Sequence, residues 1–108
     1  MPLFGRRRKQ SAAATGRPSR REELDHLEQF ARSRRGVEGF IEPRTTVTET
    51  TLLLIAHDGE WTRRRISSPE EARRFCHRLA IPVYDVALVG YPNRMREYNA
   101  RRKQAEST

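Results

Sequence analysis

One cysteine, two lysines and no long apolar run set the first limits on this 108-residue chain. Cys76 alone supports neither a disulfide framework nor a cysteine-based metal site, which fits a reducing compartment. No apolar stretch approaches the roughly 20 residues of a membrane span. His26, His57 and His77 lie far apart and share no ligand-like spacing with carboxylates or Cys76, so no metal is expected. A phosphate-cradling glycine loop, a dinucleotide fingerprint and a Ser-His-Asp set in local context are all missing, so no cofactor and no catalytic residue is expected. The start, Met1 to Lys9, has the charge of an export signal. The following Ser11-Ala12-Ala13-Ala14-Thr15-Gly16 is too short and too weakly apolar for its core. Pro2 excludes the N-terminal glycine of a myristoylation signal. The expectation is a soluble, cytoplasmic protein.

Acid is also missing, from one place. Residues 1–19 carry Arg6, Arg7, Arg8, Lys9 and Arg17 and no acid, whereas residues 93–108 carry five basic residues and two acids. The stretch between residues 36 and 92 holds seven arginines against eight acids, so the net charge of +8 sits at the two ends. That asymmetry points to a polyanionic partner such as nucleic acid, an anionic surface or an acidic protein. Hydrophobic residues make up 35% and charged residues 33% of the chain, so its folded part has a strongly polar surface. Once the tails are removed, roughly 75–85 residues remain, enough for one modestly stable domain.

Residues 1–18 read as a disordered basic tail, residues 19–103 as a single α+β domain, and residues 104–108 as a disordered C-terminus. Ser19-Arg20-Arg21-Glu22 matches a capping box, and Leu24, Leu27, Phe30 and Ala31 follow at helical spacing. Gly36 is expected to end this helix in a left-handed cap. Val37 to Ile41 reads as a short strand stopped by Pro43, and Thr45 to Ala56 as a second strand rich in Thr, Val, Leu and Ile. Asp58-Gly59 predicts a type I′ hairpin turn into a third strand, Trp61 to Ile66. With that turn, Ala56 faces Trp61, Leu54 faces Arg63 and Leu53 faces Arg64. Arginines opposite leucines mark the third strand as an edge, their stems covering apolar surface. Ser68-Pro69-Glu70-Glu71 starts a second helix, with Ala72, Phe75, Cys76 and Leu79 as its buried stripe and Arg73, Arg74, His77 and Arg78 elsewhere on it. Val83 to Val89 is nearly continuous apolar sequence, as in a strand covered on both faces. Asn93 opens a last helix of roughly ten residues anchored by Met95 and Tyr98. The predicted order is α-β-β-β-α-β-α, a central antiparallel hairpin plus a β-α-β crossover.

Three basic constellations suit nucleic acid. Trp61 shares a strand face with Arg63 and Arg65, an aromatic beside cations of the kind that holds single strands by stacking and phosphate contact. On the last helix Arg94, Tyr98 and Arg101 fall on one face, with Arg102 beside them. The tail Arg6-Arg7-Arg8-Lys9 suits salt-dependent electrostatic binding. With Leu3 and Phe4 the tail could instead touch an anionic membrane surface, and each set also has a plain structural or solubilising reading. Asp85, inside the apolar fourth strand, either pairs with an arginine or serves as a base in an enzyme site. The leading expectation is a non-enzymatic accessory factor associated with RNA, DNA or ribonucleoprotein. The alternative is a protein-interaction module, homodimeric or with another protein, using the sheet face near Trp61.

Gly36 to Thr51, with Ile81-Pro82-Val83-Tyr84-Asp85 and Gly90-Tyr91-Pro92, resembles a family of short, arginine-rich actinobacterial proteins of unknown function, over roughly residues 36–103. The resemblance implies a bacterial cytoplasmic origin and an arginine-rich coding bias as the cause of the choice of Arg over Lys. Members often carry an automated oxidoreductase label. No residues here form the phosphate cradle that a nicotinamide or flavin site needs, and the resemblance assigns no functional residue. The α-β-β-β-α order of residues 20–80 is also similar to double-stranded-RNA-binding domains in topology alone. Their basic helix start is replaced here by Ser68-Pro69-Glu70-Glu71.

Overall fold

The computed structural model describes residues 17–107, so Arg6, Arg7, Arg8 and Lys9 lie outside the described residues. It is an α+β domain with helices α1 (Arg20–Ser33), α2 (Pro69–Arg78), α3 (Val86–Val89) and α4 (Asn93–Ser107) and strands β1 (Glu38–Glu42), β2 (Thr51–Ile55), β3 (Trp61–Arg65) and β4 (Val83–Asp85). The sheet order is β3-β2-β1-β4, with β4 parallel to β1 and the other pairs antiparallel. The β3–α2–β4 connection therefore crosses two strands and lands on the far edge of the sheet. No helix among the described residues is long and apolar enough to cross a membrane.

Local chemistry sets the ends of the elements. Ser19 and Glu22 close a full capping box on α1, and Ser68 accepts the Glu71 amide at the start of α2. α1 stops at Ser33 with Arg34 extended behind it, so Gly36 is not its cap. Gly36 takes its φ of 61° two residues later, where the chain passes the hairpin and a Cβ would sit 3.0 Å from His57 Cβ.

The hairpin turn differs from the predicted type. Asp58 does not adopt positive φ; Gly59 alone does, at 95°. Gly59 N–H donates to Ala56 O at 3.0 Å, Ala56 N–H to Glu60 O at 2.8 Å, and Glu60 N–H to Asp58 Oδ1 at 3.0 Å. This is a three-residue loop ending in a left-handed glycine, a geometry that also matches strand twist but adds one residue to the turn. The register consequently shifts by one: Trp61 pairs with Ile55, Arg63 with Leu53 and Arg64 with Leu52. β3 is an edge, as expected.

Alternation along the strands builds two cores. Ile41, Leu52 and Leu54 meet Leu27 and Phe30 of α1 and Ala72, Phe75 and Cys76 of α2 on one face. Phe40, Leu53 and Ile55 meet Met95 of α4, with Trp61 and Val86, on the other. The apolar run Val83–Val89 is not one covered strand. Asp85 Oδ1 accepts the Ala87 amide at 2.8 Å and caps α3, ending β4 after three residues on an open edge. α4 continues to Ser107, past the expected ten residues. Residues 100–106 are almost all good helix formers, and Arg102 pairs with Glu106 one turn on at 3.2 Å.

Candidate nucleic-acid interface

β3 places Trp61, Arg63 and Arg65 on one face, as its period of two requires. Trp61 packs half-buried on the second core, and its indole N–H donates to Asn99 Oδ1 of α4 at 2.8 Å. The Arg63 guanidinium lies 5.2 Å from the Trp61 ring centroid. Its fork grips Glu42 at 2.7 and 2.8 Å, and Thr51 O–H donates to the same carboxylate at 2.6 Å. Tyr91 O–H donates to it as well. Burial opposes the charged form of Glu42, but the bonds from Arg63, Thr51 and Tyr91 outweigh it and hold the carboxyl below its ordinary value.

Arg65 and Arg64 turn to α1. Arg65 Nε donates to Glu23 Oε2 at 3.0 Å and its Nη2 to Pro18 O at 3.1 Å, while Arg64 Nε lies 3.4 Å from Glu23 Oε1. His26 Nε2 sits 2.7 Å from Thr62 Oγ1. Burial, then the charges of Arg64 and Arg34, push the His26 pKa down. The three strand arginines thus each face a carboxylate of the same chain, and the sheet face near Trp61 lies under α4.

Arg94, Tyr98 and Arg101 do share one face of α4, and that face docks on the hairpin tip. Arg94 donates to Ala56 O at 3.0 Å and to Glu38 at 2.6 Å, and Arg101 donates to Asp58 O at 2.9 Å. A Cβ on Gly59 would stand 2.0 Å from Arg94 O and 2.8 Å from Tyr98 Cβ, so glycine admits the helix. Arg102 is exposed and shared between Tyr98 O–H and Glu106. Arg96 and Lys103 are exposed on the same helix, with no acidic partner among the described residues.

A cationic surface that the sequence did not single out lies on α2. Arg73, Arg74, His77 and Arg78 line a groove of about 690 Å³ whose remaining walls are Ile81 and Val83. Arg78 is engaged, 3.6 Å from Glu28 and 5.3 Å from the Phe75 ring centroid. Arg73 and Arg74 are exposed and have no acidic partner among the described residues. The available signal was four basic residues turned away from the Ala72–Phe75–Cys76 stripe; the place of β4 beside them was the missing half.

Asp85 caps α3 rather than pairing with an arginine, and Cys76 is buried, its thiol pushed up to about 12 by burial. No cluster of His, Cys, Asp and Glu among the described residues could hold a metal ion. Set against protein-family models, curated proteins and solved structures, the chain shows no match.

Proposed function

We propose that the protein is a non-enzymatic accessory factor that binds nucleic acid, RNA or DNA, free or within a ribonucleoprotein, through cations its own acids do not neutralise. The observation that carries this reading is the division of the arginines. Those of β3 are tied to Glu42 and Glu23, while Arg96 and Lys103 of α4 face solvent without an acidic partner among the described residues. Residues 1–16 add four cations and no acid, half of the net charge of +8. A polyanion gains from such charges by releasing its condensed counterions.

The test is binding of a labelled 20-nucleotide RNA and DNA across a salt series, for the whole chain and for a chain lacking residues 1–16. Both nucleic acids should bind at moderate salt. Deletion should lower the slope of log K against log salt by about 3–4, since each phosphate contact contributes about 0.7–0.9. Absence of binding by either nucleic acid, with no effect of the deletion, would end this reading.

The protein-interaction alternative changes its location. α4 covers the face near Trp61, whereas among the described residues no strand pairs with the outer edge of β4.

A further inference from the structure

Among the described residues, four of the five large apolar side chains left exposed fall within eight positions: Tyr84, Leu88, Val89 and Tyr91. Leu88 is 84% exposed and Val89 57%. They adjoin β4, whose only strand neighbour among the described residues is β1. An edge strand presents backbone N–H and C=O groups with no sheet partner, a template for another strand. The two sides of this edge differ in chemistry. Val83 points to the face of α2, beside Ile81 and beneath Arg73, Arg74, His77 and Arg78. Tyr84 points to the opposite face, its ring 5.4 Å from that of Phe40.

We propose that β4 is a docking edge for an extended, acidic segment of a partner protein, which adds to the sheet as a fifth strand. Alternate residues of such a segment would meet two different surfaces. On the α2 side it would offer carboxylates to Arg73 and Arg74, which have no acidic partner among the described residues, and on the other side apolar groups to Tyr84, Leu88 and Val89. No acid lines the groove, so the complementary charge must come from the partner.

Charge also selects among occupants. A second copy added antiparallel at β4 would keep both α2 helices on one side of the joined sheet, setting the two arginine rows against each other. A segment with the charge of residues 1–16, four cations and no acid, lacks the carboxylates this groove calls for. Nucleic acid would satisfy the arginines but not the aliphatic floor of Ile81 and Val83 or the open backbone edge. β4 is three residues long, so few backbone bonds can form and the side-chain contacts must carry specificity.

The probe is a fluorescein-labelled eight-residue peptide of alternating valine and glutamate, titrated with the full chain and read by anisotropy. It should bind, and the valine–lysine counterpart should not. Reversing Arg73 and Arg74 together to Glu should weaken binding by about tenfold or more, as should N-methylating alternate amides of the peptide. Both arginines are exposed, and unchanged Trp61 fluorescence would show that the variant is folded. Binding indifferent to N-methylation, or to the charge reversal, overturns the proposal. So does an eight-nucleotide RNA that displaces the peptide and loses its own affinity in the same variant, which would give the groove to nucleic acid. A concentration-dependent dimer abolished by Leu88→Lys would give the edge to a second copy and overturn it equally. The salt-slope test above depends on residues 1–16, so either reading can fail without the other.

Discussion

Gly39 sits in β1 where the sheet comes closest to α2. A Cβ placed there would lie 2.7 Å from Cys76 Sγ, with Leu52 Cδ1 at 3.5 Å and Leu54 Cδ2 at 3.6 Å. Non-bonded heavy atoms settle at about 3.5–4.0 Å, so roughly 1 Å must be found. The two leucines are already in contact distance, and Cys76, Leu52 and Leu54 are completely buried, so the room must come from lifting α2. Overpacking of this kind costs about 1–3 kcal/mol. Gly39→Ala also restricts the unfolded chain, which returns about 0.4–1 kcal/mol. The net expectation is a loss of about 1–2 kcal/mol. Cys76→Ala alone removes one heavy atom from a packed site and costs about 1 kcal/mol, as small core truncations do. The double variant is the decisive one, because the new methyl then occupies space the sulfur has left. Gly39→Ala should be nearly neutral in the Cys76→Ala background, a coupling of about 1–2 kcal/mol. Urea unfolding followed by the fluorescence of Trp61, the only tryptophan, supplies the four free energies. If the two losses simply add, to within about 0.3–0.5 kcal/mol, the contact is not what makes glycine necessary and the packing account fails.

Gly59→Ala should be costlier, by at least about 2 kcal/mol, because a side chain there meets both a left-handed backbone penalty and the carbonyl of Arg94. A melting temperature within 2 °C of the parent, roughly 0.3–0.5 kcal/mol for a domain of this size, would refute the close approach of α4. Stability should fall with acid along two separate limbs. Glu42 binds its proton less readily folded than unfolded, so its contribution is present above 4.5 and lost as pH falls through its lowered folded value; Glu71, Asp58 and Glu28 are lowered too, so Glu42→Gln should make that limb shallower without abolishing it. His26 is also held below its ordinary 6.5, so its contribution is complete above 6.5 and declines below it, and His26→Gln should remove that slope in a urea-midpoint series. Arg63→Gln should cost about 1–3 kcal/mol by stranding Glu42, whereas Arg73→Gln with Arg74→Gln should stay within about 0.5 kcal/mol per site. Equal losses in these two variants would contradict the division of arginines into paired and free.

What could be read from the residues followed the reach of each interaction. Ser19 with Glu22, and Ser68 with Glu71, signal helix starts within four residues, and both starts stand as expected. The apolar stripes of α1 and α2 and the existence of the hairpin were equally local. Asp58-Gly59 fits a two-residue turn and a three-residue turn alike; the choice depends on whether Asp58 takes positive φ or spends its carboxylate on the Glu60 amide. That single local choice moved Trp61 from Ala56 to Ile55. The partners of the arginines were beyond reach altogether. Arg63 meets Glu42 across two strands and Arg65 meets Glu23 from another element, pairings that exist only after the sheet forms. The position of β4 was hidden for the same reason, since an apolar run does not say which edge it joins.

A surplus of positive charge is informative only after the internal pairs are set aside. In this fold the setting aside is selective. Glu42, Glu23 and Glu38 draw in Arg63, Arg64, Arg65 and Arg94, which join β3 to β1, α1 to β3, and α4 to β1. These were among the cations best placed by sequence to grip a phosphate, next to Trp61 and on the last helix. Arginines that serve the architecture have both their forks and their charge committed, and freeing them would strand a carboxylate. Arg73 and Arg74 carry no such commitment among the described residues, stand beside an apolar floor, and flank the sheet edge with open backbone groups. Removing them should therefore cost the fold little, which is what leaves both side chains free for the partner segment proposed above.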